Sequence, residues 1–237
     1  MTRLTFLASI ILCSAATAFA DDLNTLTPEE SAAGWKLLFD GTTPAGWRAY
    51  AHEDFPSPRW GVKDGCLCVD TSANPKSSDI VTTEKFGDFD LKFQWRISPA
   101  GNSGVKYMVH EGKTGHAGVG YEYQVLDDEK NEDGQNGASH MAGAVYFLFA
   151  PNDQKKLKPV GEFNDSEIIV HGNHVEHWLN GAKIVEFELA SPELKEAIAK
   201  SKFKNIKGFG DKIPTVILLQ DHDSNVWFRN IKIHPLN

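Results

Sequence analysis

Hydrophobic and polar residues alternate with a period of two along most of the chain, which is the pattern of half-buried β-strands. The clearest run is F-D-L-K-F-Q-W-R at 89–96. The same alternation recurs, in chain order, at 105–110, 121–125, 167–170, 174–179, 183–187, 215–220 and 226–233. Asn180-Gly181 between two such runs is a strong signal for a two-residue hairpin. The pattern predicts antiparallel strands and an all-β fold.

Two short segments have helix signals instead. Thr27-Pro28-Glu29-Glu30 combines a cap residue, a proline suited to the first turn and a glutamate that can complete a capping box. Ser191-Pro192 starts a second helix that we expect to run to about Lys202. Short strands separated by frequent turns predict a two-sheet antiparallel jelly-roll sandwich with these two helices. The last strand, 227–233, is expected to pair near the N-terminal region.

The first twenty residues have the features of a secretory signal peptide. Arg3 is followed by an apolar stretch at 4–12 and by Ala18-Phe19-Ala20, a small-residue cleavage pattern. No later segment reaches the roughly 18 apolar residues that a spanning helix needs. We therefore expect residues 1–20 to be removed, residues 21–237 to form one domain, and the protein to be exported to the periplasm or the medium.

Composition excludes several classes of function. The 237 residues are 41% hydrophobic and 24% charged, with a formal net charge of −8, so the chain is globular and acidic. Nucleic acids and anionic membranes need clustered Lys and Arg, and the charge argues against both. The zinc-protease, nucleophile-elbow, P-loop and C-x-x-C motifs do not occur. Cys66 and Cys68 fit either two small hydrophobic side chains or a local disulfide.

The strand Y-E-Y-Q-V-L at 121–126 is the most informative stretch for function. Tyr and Val point to one face, and Glu122 and Gln124 point to the other. A carboxylate and an amide beside aromatic rings are typical of sugar sites, because they pair with hydroxyl groups. A solvated strand face with no ligand would have the same composition, so the strand alone leaves both interpretations open.

Further candidates for that face come from three stretches and one long loop. Asn102-Ser103-Gly104 opens a strand, and Gln220-Asp221-His222-Asp223 ends one. Trp227 and Arg229 share one face of the last strand, where a charged partner such as Glu122, a ligand or a buried ion pair is expected. His140 ends the polar segment 127–140 and could act as a base near pH 7.

Several short stretches, in this order, resemble one known family. They are G-W-K-L-L-F-D-G-T (34–42), W-G-V-K-D-G-C-L (60–67), F-G-D-F-D-L-K-F-Q-W-R (86–96), G-N-S-G-V-K-Y (101–107), G-Y-E-Y-Q-V-L-D (120–127), A-G-A-V-Y (142–146), H-W-L-N-G (177–181), L-Q-D-H (219–222) and V-W-F-R-N-I-K-I (226–233). The chain resembles the 3-keto-disaccharide hydrolases, also described as 3-keto-glucoside 1,2-lyases and 3-keto-2-hydroxy-glucal hydratases. The resemblance covers nearly all of the chain from residue 26 onward.

This resemblance implies a concanavalin A-like jelly roll whose concave sheet carries a sugar site. It also implies a 3-keto-glucoside as substrate, supplied by a sugar 3-dehydrogenase. A ketone at C3 acidifies the proton at C2, so a base can remove that proton and the C1 substituent can leave. Such a site needs a base, a group that stabilises the enolate oxygen and an acid near the leaving group.

Roles can be assigned to the candidates as hypotheses. Glu122 and His222 are favoured for acid/base work or metal ligation, because a divalent cation would polarise the C3 carbonyl. His140 and Asp221 are the other acid/base candidates. We expect the enolate to be stabilised by Arg96, Lys106 or Arg229. We expect the substrate to be bound by Asn102, Gln124, Gln220 and Trp227.

Two alternatives remain open from the sequence. Laminarinase-type glycosidases place a carboxylate triplet on one strand, and Glu122, Gln124 and Asp127 have similar spacing with an amide in the middle. A non-catalytic carbohydrate-binding module would also carry Trp, Asn and Gln. The substitution Glu122→Gln separates the classes, because it would abolish turnover in an enzyme and leave binding by a module intact.

Overall fold

The computed structural model describes residues 23–73, 78–111 and 118–236, so the predicted signal peptide lies outside the described residues. Two antiparallel sheets pack face to face, which confirms the predicted all-β sandwich. None of the described helices has the length and apolar character to cross a membrane.

The larger sheet has eight strands. In spatial order they are β11 (Ala182–Glu188), β10 (His174–Leu179), β9 (Asn164–His171), β6 (Asp88–Ile97), β13 (Val226–Leu236), β4 (Cys66–Val69) and β3 (Trp60–Lys63). β1 (Lys36–Leu37) pairs with β13, so the expected closure between the last strand and the N-terminal region is confirmed. Leu179 pairs with Ala182 around a two-residue turn, which confirms the Asn180-Gly181 hairpin.

The smaller sheet has five strands. In spatial order they are β2 (Trp47–Ala49), β5 (Ile80–Thr82), β12 (Leu218–Leu219), β7 (Asn102–His110) and β8 (Val119–Leu126). The core lies between the sheets, where alternate residues of each strand meet, and it is rich in aromatic side chains. Tyr121 and Tyr123 are buried in this core, as the alternation of β8 predicts.

One histidine lies within the core. His177 of β10 is fully buried, and its Nε2 is 2.8 Å from the hydroxyl of Tyr107 in the opposite sheet. Its Nδ1 is 3.0 Å from the carbonyl oxygen of Gly143. Because a carbonyl only accepts, Nδ1 carries the proton and Nε2 accepts from Tyr107. Burial lowers the pKa of His177 to about 4, so the imidazole is neutral.

Both predicted helices are present. α1 (Pro28–Ala33) begins with the complete Thr27 and Glu30 capping box, and α2 (Pro192–Lys200) begins at the Ser191 cap. α2 ends two residues earlier than expected, and Lys202 belongs to the following connection. Cys66 and Cys68 are buried free thiols, so the disulfide alternative is wrong.

Candidate functional site

The outer face of the smaller sheet carries a polar floor at β7 and β8. Lys106 pairs with Glu122 in the strand register, and its Nζ lies 3.4 Å from Glu122 Oε2. Gln124, oriented to satisfy its amide, donates to Glu122 Oε1 at 3.0 Å. Both charged side chains are about nine-tenths buried. The contacts with Lys106 and Gln124 fix the position of the carboxylate.

A glycine leaves the space that this carboxylate occupies. Gly104 lies beside Glu122 on β7, and a Cβ placed there would be 2.4 Å from Glu122 Oε1. A glycine within a strand leaves room for a ligand or another part of the chain to approach closely. The structure shows that Gly104 admits the Glu122 side chain.

One wall of the cleft is built from segment 142–149, which pairs with the free edge of β8. The backbone amide of Tyr146 donates to the Glu122 carbonyl at 3.0 Å, and Gly143 donates to the Gln124 carbonyl at 2.8 Å. This pairing places the Tyr146 ring beside the Glu122 carboxylate. The Tyr146 hydroxyl donates to Asp133 Oδ2 at 2.8 Å, and its pKa is raised by burial and then by Asp133.

A second ammonium group lies over the Tyr146 ring of this wall. Lys202 follows α2, and its Nζ lies 4.3 Å from the centroid of the Tyr146 ring, a cation–π distance. Loss of water around the ammonium lowers the pKa of Lys202, and the charge of Lys106 adds to this effect, while Glu122 and Asp133 oppose it. The carboxylate and the two lysines therefore share one cleft.

The cleft has a volume of about 420 Å³, within the range of small-molecule sites. The cleft is lined by amide, charged and apolar side chains. It includes six of the predicted site residues, Asn102, Lys106, Glu122, Gln124, Gln220 and His222. Gln220 Oε1 is buried without a hydrogen-bond partner among the described residues, so a bound hydroxyl would satisfy it. His222 is exposed at the rim.

Asp221 does not line this cleft, which corrects its expected place among the acid/base groups. Its carboxylate is buried and receives two hydrogen bonds from Arg59, at 2.5 and 2.7 Å. The backbone amide of Ser78 donates to it as well, at 3.1 Å. A bidentate buried pair of this kind ties β12 to the chain before β3. The neighbouring His222 points to the cleft because adjacent residues on an extended chain face opposite ways.

Arg96, Trp227 and Arg229 lie on the larger sheet, so the expectation that they share a face with Glu122 is wrong. The Arg96 guanidinium is 4.5 Å from the Trp227 ring, its partner in the strand register. Arg229 Nε donates to Gln94 Oε1 at 2.7 Å. The partners of these two guanidinium groups are therefore aromatic rings and the Gln94 amide, and Glu122 is not among them.

His140 is buried beside the wall of the cleft and is not among the lining residues, so its expected role as a base stays a prediction. Its ring packs edge-on against Tyr146, with centroids 5.1 Å apart, and against Phe147 at 4.8 Å. The side chain therefore packs against Tyr146 and does not line the cleft. Lys202, Tyr146 and Asp133 were missed as site residues, although Tyr146 lies within the matched stretch 142–146.

A divalent cation does not fit the described residues of the cleft. Both oxygens of Glu122 already face Lys106 and Gln124, and the ammonium of Lys202 adds positive charge. In residues 23–73, 78–111 and 118–236, three ligand atoms from acidic, His or Cys side chains converge elsewhere, at His174, Glu176 and Glu186. We therefore derive no chemical step through a metal.

The protein is an all-β antiparallel sandwich of two sheets with a polar, partly aromatic cleft on the outer face of the smaller sheet. Residues 34–234 match the 3-keto-alpha-glucoside-1,2-lyase-like domain, and the chain belongs to this family. This confirms the resemblance drawn from the short sequence stretches.

Three proteins from two bacterial species are similar to this chain over most of its length. A 3-keto-disaccharide hydrolase of Bacteroides thetaiotaomicron is 30% identical over 244 residues, which span 92% of this chain and 84% of the relative. Two crystal structures from Parabacteroides distasonis ATCC 8503 are of proteins provisionally named glycosyl hydrolases. One is 33% identical with a TM-score of 0.82, covering 91% of this chain and all of that one. The other is 25% identical with a TM-score of 0.59, covering 80% and 99%.

Proposed function

We propose that the protein is an exported enzyme that cleaves 3-keto-glucosides by elimination and then hydrates the resulting 2-hydroxy-3-keto-glucal. The observation that carries the proposal is the buried Glu122 carboxylate in one cleft with the ammonium groups of Lys106 and Lys202. A base beside two cations suits a reaction that removes a proton and forms an enolate. The family and the 3-keto-disaccharide hydrolase of Bacteroides thetaiotaomicron support the substrate class.

Glu122 is the base in this mechanism. It takes the proton from C2, and the C–H electron pair forms the C2–C3 double bond of an enolate whose negative charge lies on the C3 oxygen. Lys106 and Lys202 stabilise that oxygen by charge, and Asn102, Gln124 and Gln220 bind the sugar hydroxyls. The positions of the lysines around Glu122 support this assignment, because both are fixed before the charge develops.

The second half of the elimination breaks the bond between C1 and the aglycone oxygen. The enolate electrons form the C1–C2 double bond, the C3 ketone is restored, and the oxygen of the leaving group receives a proton. His222 is the proton donor in our proposal, since it lies at the rim where an aglycone would leave.

Hydration is the reverse of the elimination, with water in place of the aglycone alcohol. His222, deprotonated after the elimination, takes a proton from water as the water oxygen adds at C1. Glu122, whose proton has by then exchanged with solvent, delivers a proton to C2, which gives 3-keto-glucose and net hydrolysis. The substrate must be formed by oxidation of a glucoside at C3, so a sugar 3-dehydrogenase would act upstream.

The glycosidase alternative needs Asp127 beside Glu122, and the geometry does not favour it. The Asp127 carboxylate is buried and accepts backbone hydrogen bonds from Ala100 at 2.7 Å and from Glu129 and Lys130 at 3.2 Å. It therefore shapes the loop at the end of β8, and it is absent from the lining of the cleft.

The test is turnover of a 3-keto-glucoside with a chromogenic aglycone by purified mature protein. Glu122→Gln should reduce aglycone release by at least about 100-fold, because an amide cannot accept the C2 proton. Glu167→Gln is the matched control, since Glu167 also faces a lysine at 3.5 Å but lies on the other sheet. Equal activity of the two variants would refute the role of Glu122, and binding without release by the unmodified protein would favour a binding module.

A further inference from the structure

The outer face of the larger sheet has its own groove, with a volume of about 330 Å³. It lies on the opposite side of the sandwich from Glu122. The N-terminal segment at Thr25 and Thr27 forms one wall, and Trp178 lies at the other end. Between them a single row of side chains crosses four strands, since Trp178 pairs with Glu167, Glu167 with Lys92 and Lys92 with Lys232.

The indole of Trp178 differs from the other aromatic rings of this face. Trp35, Phe163 and Trp227 are each covered by a lysine or arginine. In the described part of the chain, no cation or ring lies over Trp178, although the residue is only partly buried. Its Nε1 donates to Glu176 Oε2 at 2.7 Å, which fixes the ring plane. A fixed, uncovered indole face is suited to stacking on a flat apolar surface.

The polar groups of the groove come in donor and acceptor pairs. Lys92 lies 3.5 Å from Glu167, and Gln94 donates to Asp165 at 2.6 Å. The vicinal hydroxyls of a sugar are themselves donors and acceptors, so they match such pairs. The two lysines and the two carboxylates of the groove balance in charge, which favours a neutral polar ligand over an anion.

We propose that this groove is a second, non-catalytic carbohydrate-binding site, in which Trp178 stacks on a pyranose ring and the pairs Lys92–Glu167 and Gln94–Asp165 bind its hydroxyls. The row from Trp178 to Lys232 spans three inter-strand spacings, about 14 Å, so the ligand is an oligosaccharide. The site would hold the enzyme on a glycan without taking part in bond cleavage.

Isothermal titration calorimetry with maltose, cellobiose and laminaribiose tests the site, since none of these probes carries a 3-keto group. We expect saturable binding of at least one probe, weakened about tenfold or more by Trp178→Ala and largely kept by Trp178→Phe. Trp178→Leu retains apolar volume without a ring and should weaken binding as Trp178→Ala does, which covers the case in which the alanine variant is unstable.

Trp227→Ala is the matched control, because Trp227 lies on the same face outside the groove, under Arg96. It should leave the affinity unchanged, and none of the Trp178 variants should alter release of aglycone from a 3-keto-glucoside. No binding of any probe would overturn the proposal, and so would binding that is equally strong in Trp178→Leu.

Discussion

The buried imidazole of His177 makes the stability of the fold depend on pH in a way that can be calculated. The pKa of His177 falls from 6.5 to about 4 on folding, because burial opposes the charged form. Between these two values the unfolded chain binds a proton that the folded protein does not. The stabilisation is therefore fully present above pH 6.5 and is lost as the pH falls towards 4.

The magnitude follows from the size of the shift. At about 1.4 kcal/mol per pKa unit, the full loss of unfolding free energy is about 3 kcal/mol below pH 4, and roughly 2 kcal/mol of it is lost by pH 5. Other groups also titrate in this range, so the difference between the protein and a His177 variant is the quantity to measure.

His177→Gln removes the titrating group, and its amide can still donate to Gly143 and accept from Tyr107. Urea unfolding at pH 7.5 and pH 5 should show the unmodified protein losing about 2 kcal/mol more than this variant. His222→Gln, which removes an exposed imidazole, should behave like the unmodified protein. Equal losses in the unmodified protein and His177→Gln would refute the claim that a neutral His177 is buried in the core.

Three further substitutions test other parts of the structure. Gly104→Ala should displace the Glu122 side chain, because the new Cβ would lie within 3 Å of its Cγ, Cδ and Oε1, and it should reduce turnover of a 3-keto-glucoside about tenfold or more; unchanged turnover would contradict the placement. Lys202→Met should lower kcat about 100-fold while Lys202→Arg recovers part of the loss, and an unchanged kcat would remove Lys202 from the mechanism. Arg59→Met should cost about 3–5 kcal/mol in urea unfolding by leaving the buried carboxylate of Asp221 uncompensated, and a loss below 1 kcal/mol would show that this carboxylate is hydrated.

Much of the fold could be predicted because its signals are local. The alternation in β6, the Asn180-Gly181 turn and the Thr27 capping box each depend on neighbouring residues, and each is present in the structure. The floor of the cleft was predictable for the same reason, since Glu122 and Gln124 point away from two buried tyrosines on one strand.

The walls of the cleft and the misplaced candidates depend on contacts that are distant in sequence. Lys202 reaches Tyr146 across the connection after α2, and no local pattern marks either residue. Arg229 and Glu122 lie on strands of different sheets, and strand alternation alone does not say to which sheet a strand belongs. Asp221 has the same carboxylate group that a catalytic residue would have. Its hydrogen bonds with Arg59, which is distant in sequence, show that this carboxylate has a structural role.

The central claim is that Glu122 removes the C2 proton of a 3-keto-glucoside, and the label at C2 of the product tests it most directly. The mature protein is incubated with a chromogenic 3-keto-glucoside in deuterated water, and the released 3-keto-glucose is analysed by mass spectrometry and NMR. Controls are 3-keto-glucose kept in the same solvent without protein, which measures spontaneous exchange, and the Glu122→Gln variant. Elimination followed by hydration predicts deuterium at C2 in step with aglycone release and no release by the variant. Complete release with hydrogen retained at C2 would contradict the mechanism and indicate direct hydrolysis.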